Sequence, residues 1–97
     1  MAFEVAWTAS ALRDRKAILK NWIDRNGSSA YSKKLYERWE VAIKLVSRNP
    51  YLGRPTRHEG VRVVLIGHYN IFYQPGQDVI HIVRIIDGRR DLSGLRF

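Results

Sequence analysis

The fold of this chain is decided by residues 61–87, which read VRVVLIGHYNIFYQPGQDVIHIVRIID. The segment contains three apolar runs, and each of the two connections between them is too short to hold a helix. Strands joined by such short connections pair in antiparallel fashion. The pattern therefore predicts a three-stranded meander, with strands at about Arg62–Ile66, Asn70–Gln74 and Val79–Ile86.

The two connections have the residues of tight turns. Gly67-His68 suits a two-residue hairpin turn with glycine at the first central position. Pro75-Gly76 suits a type II turn, in which proline presets its own φ and the glycine takes a positive φ. We therefore expect a hairpin on each side of the central strand.

The first half of the chain predicts two helices. Thr8 is a good N-cap for a helix over about 9–25, and Gly27 can end that helix in the left-handed conformation. A serine at 28 or 29 can cap a second helix that runs to about Arg48, where Asn49-Pro50 stops it. Because the loop between the helices is only two or three residues long, the helices must be antiparallel neighbours.

A short strand precedes the helices, because Phe3, Val5 and Trp7 share one face at a period of two. It must join the same sheet so that its backbone polar groups are paired. The predicted order is β-α-α-β-β-β in a single domain over residues 1–97. This is an α+β fold, in which a helix hairpin packs on one face of a four-stranded, mostly antiparallel sheet. The opposite face is expected to be partly open, with basic edges.

The composition indicates a basic protein without thiol chemistry. The chain carries 17 Lys and Arg against nine Asp and Glu, which gives a net charge of +8, and it contains no cysteine. Such an excess favours an acidic partner, either nucleic acid or an acidic protein. Without cysteine there is neither a disulfide nor a thiolate metal site, and we expect no cofactor and no metal.

The sequence also predicts where the protein acts. The N-terminal residues lack the basic region and long apolar run of a signal peptide. No apolar stretch approaches the roughly 20 residues of a membrane span. We therefore expect a cytoplasmic protein without membrane contact.

Four short segments together resemble a known group of proteins: Trp7–Ala11 (WTASA), Leu52–Pro55 (LGRP), Tyr69–Tyr73 (YNIFY) and Ile82–Asp91 (IVRIIDGRRD). In this order they resemble the RelE/ParE superfamily of toxins from type II toxin–antitoxin systems, and the resemblance covers nearly the whole chain. It implies the fold described above, growth inhibition, a role in plasmid stabilization, and a cognate antitoxin that binds the toxin in a hetero-oligomeric complex.

The superfamily has two branches with different activities. RelE-like members cut mRNA on the ribosome, and such cleavage requires a base, an acid and cations for the developing phosphate charge. They carry lysines on the second strand, where this chain has only Arg62, and an arginine after the third-strand dipeptide, where it has Asn70. An arginine after the last strand is matched by Arg89 or Arg90, but no tyrosine follows. The comparison therefore argues against RelE-type chemistry.

ParE-like members inhibit DNA gyrase without known chemistry of their own, and this chain resembles them more closely. It has their loop at Asn49–Pro55, their Phe72-Tyr73 pair on the third strand, and their ending from Arg84 to Asp91. The resemblance thus implies a gyrase poison that is not an enzyme. A ribosome-dependent mRNA interferase and a non-toxic antitoxin-binding module remain the alternatives.

The candidate site residues come mainly from the second half of the chain, where every cation is an arginine. Arginine binds carboxylates and phosphates through paired hydrogen bonds, but it does not release a proton near neutral pH. If the protein is an enzyme, the catalytic candidates are Arg62, His68, Arg89 and Arg90, and His58 in the basic loop is a further one. For binding the target or the antitoxin, the candidates are Arg54, Arg57, Arg62, Arg84, Arg89, Arg90 and Tyr73.

Two of these side chains also have structural interpretations. Arg84 shares parity with Ile80, Ile82 and Ile86, so it is expected to point towards an apolar face. A buried guanidinium requires a partner, and the predicted partners are Glu4, Glu37, Glu40 and Asp87. For Tyr73, packing is favoured over stacking on a base.

Overall fold

The computed structural model describes residues 2–90, 92–95 and 97. Its strands are β1 (Glu4–Trp7), β2 (Arg54–Pro55), β3 (Arg62–Ile66), β4 (Tyr69–Pro75) and β5 (Val79–Asp87), and its helices are α1 (Ala9–Asn26) and α2 (Ala30–Arg48). The strand order in the sheet is β1-β5-β4-β3-β2, with β1 parallel to β5 and the other neighbours antiparallel. The α+β architecture and the mostly antiparallel sheet are therefore confirmed.

The predicted number of strands is wrong by one. Residues 54 and 55 were expected in a loop, but Arg54 pairs with Val63 and Pro55 pairs with Arg62, which adds β2 at the edge of the sheet. A two-residue strand has no alternating pattern by which it could be recognised. Its proline is tolerated because an edge strand leaves one row of backbone groups unpaired.

The predicted helix boundaries follow from local signals. The Thr8 hydroxyl accepts a hydrogen bond from the Ala11 amide at 3.1 Å. Gly27 ends α1 with φ of 65° and donates its N–H to the carbonyl of Ile23 at 2.9 Å. Ser29 is the N-cap of α2, although its side chain makes no capping hydrogen bond. Neither α1 nor α2, the helices of the described residues, combines the length and apolar character that crossing a membrane requires.

One of the two predicted turns is confirmed and the other is wrong in detail. Gly67 has φ of 62°, and the turn joins the paired residues Ile66 and Tyr69. Gly76 does not take the positive φ of a type II turn. Because β4 continues through Pro75, the chain reverses one residue later, where the Gly76 amide donates to the carbonyl of Val79 at 2.8 Å.

The main core lies between the helix hairpin and the sheet. It joins α2 side chains such as Trp39 to the face of β4 that carries Tyr69, Ile71 and Tyr73. Inside it, the indole N–H of Trp22 donates to the Tyr69 hydroxyl at 2.7 Å. The described contacts therefore place the helix hairpin on one face of the sheet, as predicted.

A second, smaller core covers the opposite face of the sheet. It consists of Val61, Val63, Phe72, Val83 and Ile86, and Leu92 and Leu95 of the C-terminal tail pack against it. The face that was expected to be partly open is thus partly covered by the chain itself. A cleft remains beside the tail.

Candidate functional site

The tail cleft, as we call it, is a cavity of about 520 Å³ between the edge of the sheet and the C-terminal tail. This volume lies within the range of roughly 300–1,000 Å³ found for small-molecule sites. The residues that line it are Arg54, Thr56, Arg57, His58, Val63, Asn70, Phe72, Leu92, Ser93 and Leu95.

The tail cleft is positively charged. Arg54 and Arg57 line it, and no hydrogen bond or ion pair joins either guanidinium to another described residue. Within the described part of the chain, no carboxylate lines the cavity. Two cations without an acidic neighbour in a concave site produce a field that attracts anions.

The sheet determines which side chains reach the cleft. Arg54 lies opposite Val63 in the antiparallel pair β2–β3, so the two side chains lie on the same face. On β4, Asn70 and Phe72 alternate with Tyr69, Ile71 and Tyr73, which face the main core. Asn70 thereby contributes a polar side chain that can both donate and accept beside the aromatic ring of Phe72.

A short loop holds the other basic side chains. The Thr56 hydroxyl donates to the carbonyl of Val61 at 2.9 Å and accepts from the amide of His58 at 3.1 Å. These bonds fold residues 56–61 into a compact turn, with Gly60 at φ of 79°. Arg57 and His58 are therefore presented at the rim of the cleft by a loop that is closed on itself.

The end of the chain packs against this loop. The ring of Phe97 meets the ring of His58 edge to face at 4.4 Å between centroids, and it lies 5.1 Å from the ring of Phe72. Aromatic pairs at such distances stabilise each other by roughly 0.5–1.5 kcal/mol beyond the area that they bury. The tail therefore gives the cleft an apolar and aromatic wall, and Arg54 and Arg57 make another part of its lining cationic.

Arg62 lies outside the cleft. Its neighbours Val61 and Val63 face the second core, so its own side chain leaves the sheet on the other side. There it stacks on the Tyr51 ring at 4.7 Å and donates to the carbonyl of Gly53 at 2.7 Å. The structure thus gives Arg62 a part in holding the loop before β2.

Tyr73 is placed in the core, so its predicted contact with a partner does not fit its position. Its side chain has 0 % exposure, and its hydroxyl accepts from the Gly53 amide at 2.8 Å and donates to the carbonyl of Pro50 at 2.9 Å. Burial raises the pKa of Tyr73, although the Gly53 hydrogen bond acts in the opposite direction. Packing, the favoured interpretation, agrees with this arrangement.

Arg84 is paired, but none of the four predicted partners is among its described contacts. Its Nε donates to Asp14 Oδ2 at 2.7 Å and its Nη2 donates to Oδ1 at 3.2 Å. The hydrogen bond from Arg84 to Asp14 raises the pKa of the guanidinium. The parity argument was wrong because Phe72 lies opposite Arg84 while Tyr73 lies opposite Ile82, which makes Val83 an extra residue in β5.

Asp14 is in reach because β1 is short. β1 pairs with β5 only as far as Ile82. Beyond that point, residues at the start of α1 form hydrogen bonds with β5. The Thr8 hydroxyl donates to the carbonyl of Val83 at 3.1 Å, and Asp14 Oδ2 accepts from the amide of Ile85 at 3.0 Å. A single carboxylate therefore satisfies a strand amide and a guanidinium together.

His68, Arg89 and Arg90 lie at another end of the sheet. His68 is in the exposed β3–β4 turn, and Arg89 and Arg90 are exposed after β5. Arg89 binds Asp87 through two bonds of 3.0 and 2.7 Å. The hydrogen bonds from Arg89 lower the pKa of Asp87 to about 2. Asp91, which closes the C-terminal segment of the resemblance, lies outside the described residues.

This low pKa predicts an acid-sensitive contribution to stability. Asp87 is stabilised as a carboxylate in the folded protein, so its contribution is present above about pH 4 and is lost as the pH falls towards 2. Because Arg89 is 64 % exposed, solvent screening keeps the effect small. Urea unfolding should show that the difference in the free energy of unfolding between the wild type and Asp87→Asn shrinks as the pH falls from 5 to 2.

Arg89→Gln removes the other partner of the same ion pair. The difference in unfolding stability between this variant and the wild type should also shrink between pH 5 and pH 2. A difference between wild type and Asp87→Asn that stays constant over this pH range would contradict the prediction.

The predicted site residues therefore occupy five places. Arg54 and Arg57 come together in the cleft, and His58, the further candidate, also lines it. The four catalytic candidates do not converge, because Arg62 and His68 lie at opposite ends of β3, which separates its first and last residues by about 13 Å. The sequence analysis did not identify the contributions of Thr56, Asn70 and Ser93. For Asn70 the signal was present, since it shares the parity of Phe72 and not that of the core tyrosines.

Known structures share this fold. A structure described as a chromosomal ParDE toxin–antitoxin system from P. aeruginosa aligns with a TM-score of 0.76 at 22 % identity, over 89 % of this chain and 96 % of that one. The RelBE2 toxin–antitoxin complex of Mycobacterium tuberculosis aligns with a TM-score of 0.64 at 22 % identity, over 90 % and 99 %. A search of curated proteins gave no match. The sequence model of the ParE toxins of type II toxin–antitoxin systems matches residues 5–92, so the chain belongs to this family.

Proposed function

We propose that this protein is a toxin that poisons DNA gyrase by binding it, and that a cognate antitoxin neutralises it in a hetero-oligomeric complex in the cytoplasm. The observation that carries the proposal is the match of the ParE toxin family over residues 5–92. The basic charge of the chain adds support, because its target or its antitoxin would supply the acidic surface.

The side chains of the cleft favour binding over chemistry. Strand cleavage of RNA requires a proton acceptor and a proton donor that act together. Among the described residues, His58 is the one histidine that lines the cleft, and its ring is packed against Phe97. Asn70 occupies the position where the resemblance to RelE-like enzymes requires an arginine.

Gyrase inhibition should depend on the exposed arginines after β5. Purified protein is expected to abolish the supercoiling of relaxed plasmid by gyrase. The Arg89→Ala/Arg90→Ala variant should require at least a tenfold higher concentration for the same inhibition. Charges at the rim of an interface control encounter and orientation. The matched control is Lys16→Ala/Lys33→Ala, which removes the same charge from exposed helix positions.

Adding the purified antitoxin should restore supercoiling in the same assay. Supercoiling that continues at all toxin concentrations would contradict the gyrase proposal. If induction without the antitoxin also leaves growth normal, the chain is a non-toxic antitoxin-binding module.

The second candidate function is ribosome-dependent cleavage of mRNA. The observation in its favour is that His58 and two arginines, which no described residue pairs, border one cleft in a fold that is similar to the RelBE2 complex. Primer extension on translated messages after induction should then show cuts at codon positions. Intact messages would exclude this function.

A further inference from the structure

The tail cleft combines features that a single chemical class of ligand satisfies. One wall carries two guanidinium groups, the tail forms an apolar wall, and Asn70 adds an amide to the lining. We propose that the cleft binds a phosphorylated nucleoside, with the phosphate on Arg54 and Arg57 and the base against the tail. The proposal concerns binding and includes no cleavage, and it does not depend on gyrase being the target.

The phosphate is assigned by the arginines. Arg54 is held by its strand pairing with Val63, and Arg57 follows in the loop that Thr56 closes. Neither guanidinium is neutralised by a described residue. Guanidinium groups form paired, charge-assisted hydrogen bonds with phosphate oxygens. The fold therefore fixes the backbone at both positions, and it leaves both guanidinium groups exposed beside the cleft.

The apolar wall that the tail forms suggests a base as the other part of the ligand. Leu92 and Leu95 line this wall, and the His58 ring is held edge to face by Phe97. A flat, weakly polar ring gains from apolar and aromatic contact of this kind. The Asn70 amide can donate and accept together, so it matches the edge of a base.

An acidic peptide is the competing ligand, and the shape of the cleft disfavours it. Its carboxylates would satisfy the arginines, but its side chains offer no flat surface for the tail wall. The cavity of about 520 Å³ also has the volume of a small-molecule site. A mononucleotide occupies both walls at once.

Titration of the full chain with adenosine 5′-monophosphate, followed by amide NMR shifts and calorimetry, tests the proposal. Saturable binding should shift the amide signals of residues 54–58 and 70. Adenosine and inorganic phosphate should each bind at least tenfold more weakly, because each occupies one wall alone. Tetraglutamate, as the acidic peptide, should also bind at least tenfold more weakly.

Two variants and one control distinguish the contribution of the arginines from that of Asn70. Arg54→Gln/Arg57→Gln should weaken binding of the nucleotide at least tenfold. Asn70→Ala should weaken binding of the nucleotide but leave that of inorganic phosphate within twofold. The matched control Lys16→Gln/Lys33→Gln, which loses the same charge on the helices, should stay within twofold of wild type.

Several outcomes would overturn the inference: no saturable binding, a nucleotide affinity that the arginine variant leaves within twofold, or tetraglutamate binding as tightly as the nucleotide. Circular dichroism confirms that each variant is folded, and Arg54→Lys/Arg57→Lys keeps the charge while removing the paired geometry. The gyrase assay is independent of this test. Nucleotide binding without gyrase inhibition would support the cleft and contradict only the proposed target.

Discussion

Replacing Gly53 by alanine is expected to destabilise the protein by about 3 kcal/mol or more, since overpacking typically costs about 1–3 kcal/mol and a disturbed buried hydrogen bond adds to it. A Cβ at this position would lie 2.7 Å from the Tyr73 hydroxyl and 2.8 Å from the carbonyl oxygen of Val63. Neither can move away easily, because the tyrosine ring is fully buried and the carbonyl belongs to β3. The strain is thus a matter of space, and the φ of Gly53 is not positive.

Thermal or urea unfolding measures this loss. In a domain of this size, about 1 kcal/mol corresponds to about 4–8 °C in Tm, so we expect a fall of more than about 12 °C. Gly94→Ala is the matched control, because a Cβ there meets nothing within 4 Å. It should change the stability by less than about 0.5 kcal/mol. A Gly53→Ala protein as stable as the control would show that the loop before β2 can shift away from Tyr73.

Asp14→Ala is expected to destabilise the protein by about 2–4 kcal/mol, because it removes the acceptor of a strand amide and of a guanidinium that is only 24 % exposed. The amide of Ile85 lies where β1 no longer covers β5, so no strand carbonyl from β1 can replace the carboxylate. Asp14→Asn keeps one oxygen for this amide and should lose less than half as much.

Asp24→Ala is the matched control for this prediction. Its carboxylate accepts from Lys20 at 2.7 Å in an exposed helix pair, and such pairs contribute about 0.3–0.5 kcal/mol. If Asp14→Ala lowers the free energy of unfolding as little as Asp24→Ala does, the Ile85 amide and the Arg84 guanidinium find other acceptors. A double-mutant cycle with Arg84→Ala then separates the ion pair from the amide bond.

Local patterns predicted most of the fold. The N-cap at Thr8, the glycine after α1 and the bounds of β3 depend on neighbouring residues, so they could be recognised without the rest of the chain. The meander followed from connections too short for a helix. β2 could not be predicted in this way, because a two-residue strand exists only through its pairing with β3.

The site was less predictable because side-chain partners depend on register and on distant elements. Arginine content drew attention to Arg54 and Arg57, but it could not separate them from Arg62 and Arg84, which make structural contacts. The extra residue at Val83 changed the parity of β5, and the shortness of β1 brought Asp14 to Arg84. Neither effect can be recognised from the amino-acid sequence within a few residues of Arg84.

By itself, then, the amino-acid sequence determined the helices, the meander, the basic charge and the resemblance to the toxin family, because each depends on short-range geometry or on composition. The tertiary structure alone decided that the tail covers the second face of the sheet and that Arg54, Arg57 and Asn70 border one cleft. These residues come from β2, the following loop and β4, and only the pairing of the strands and the packing of the tail bring them together.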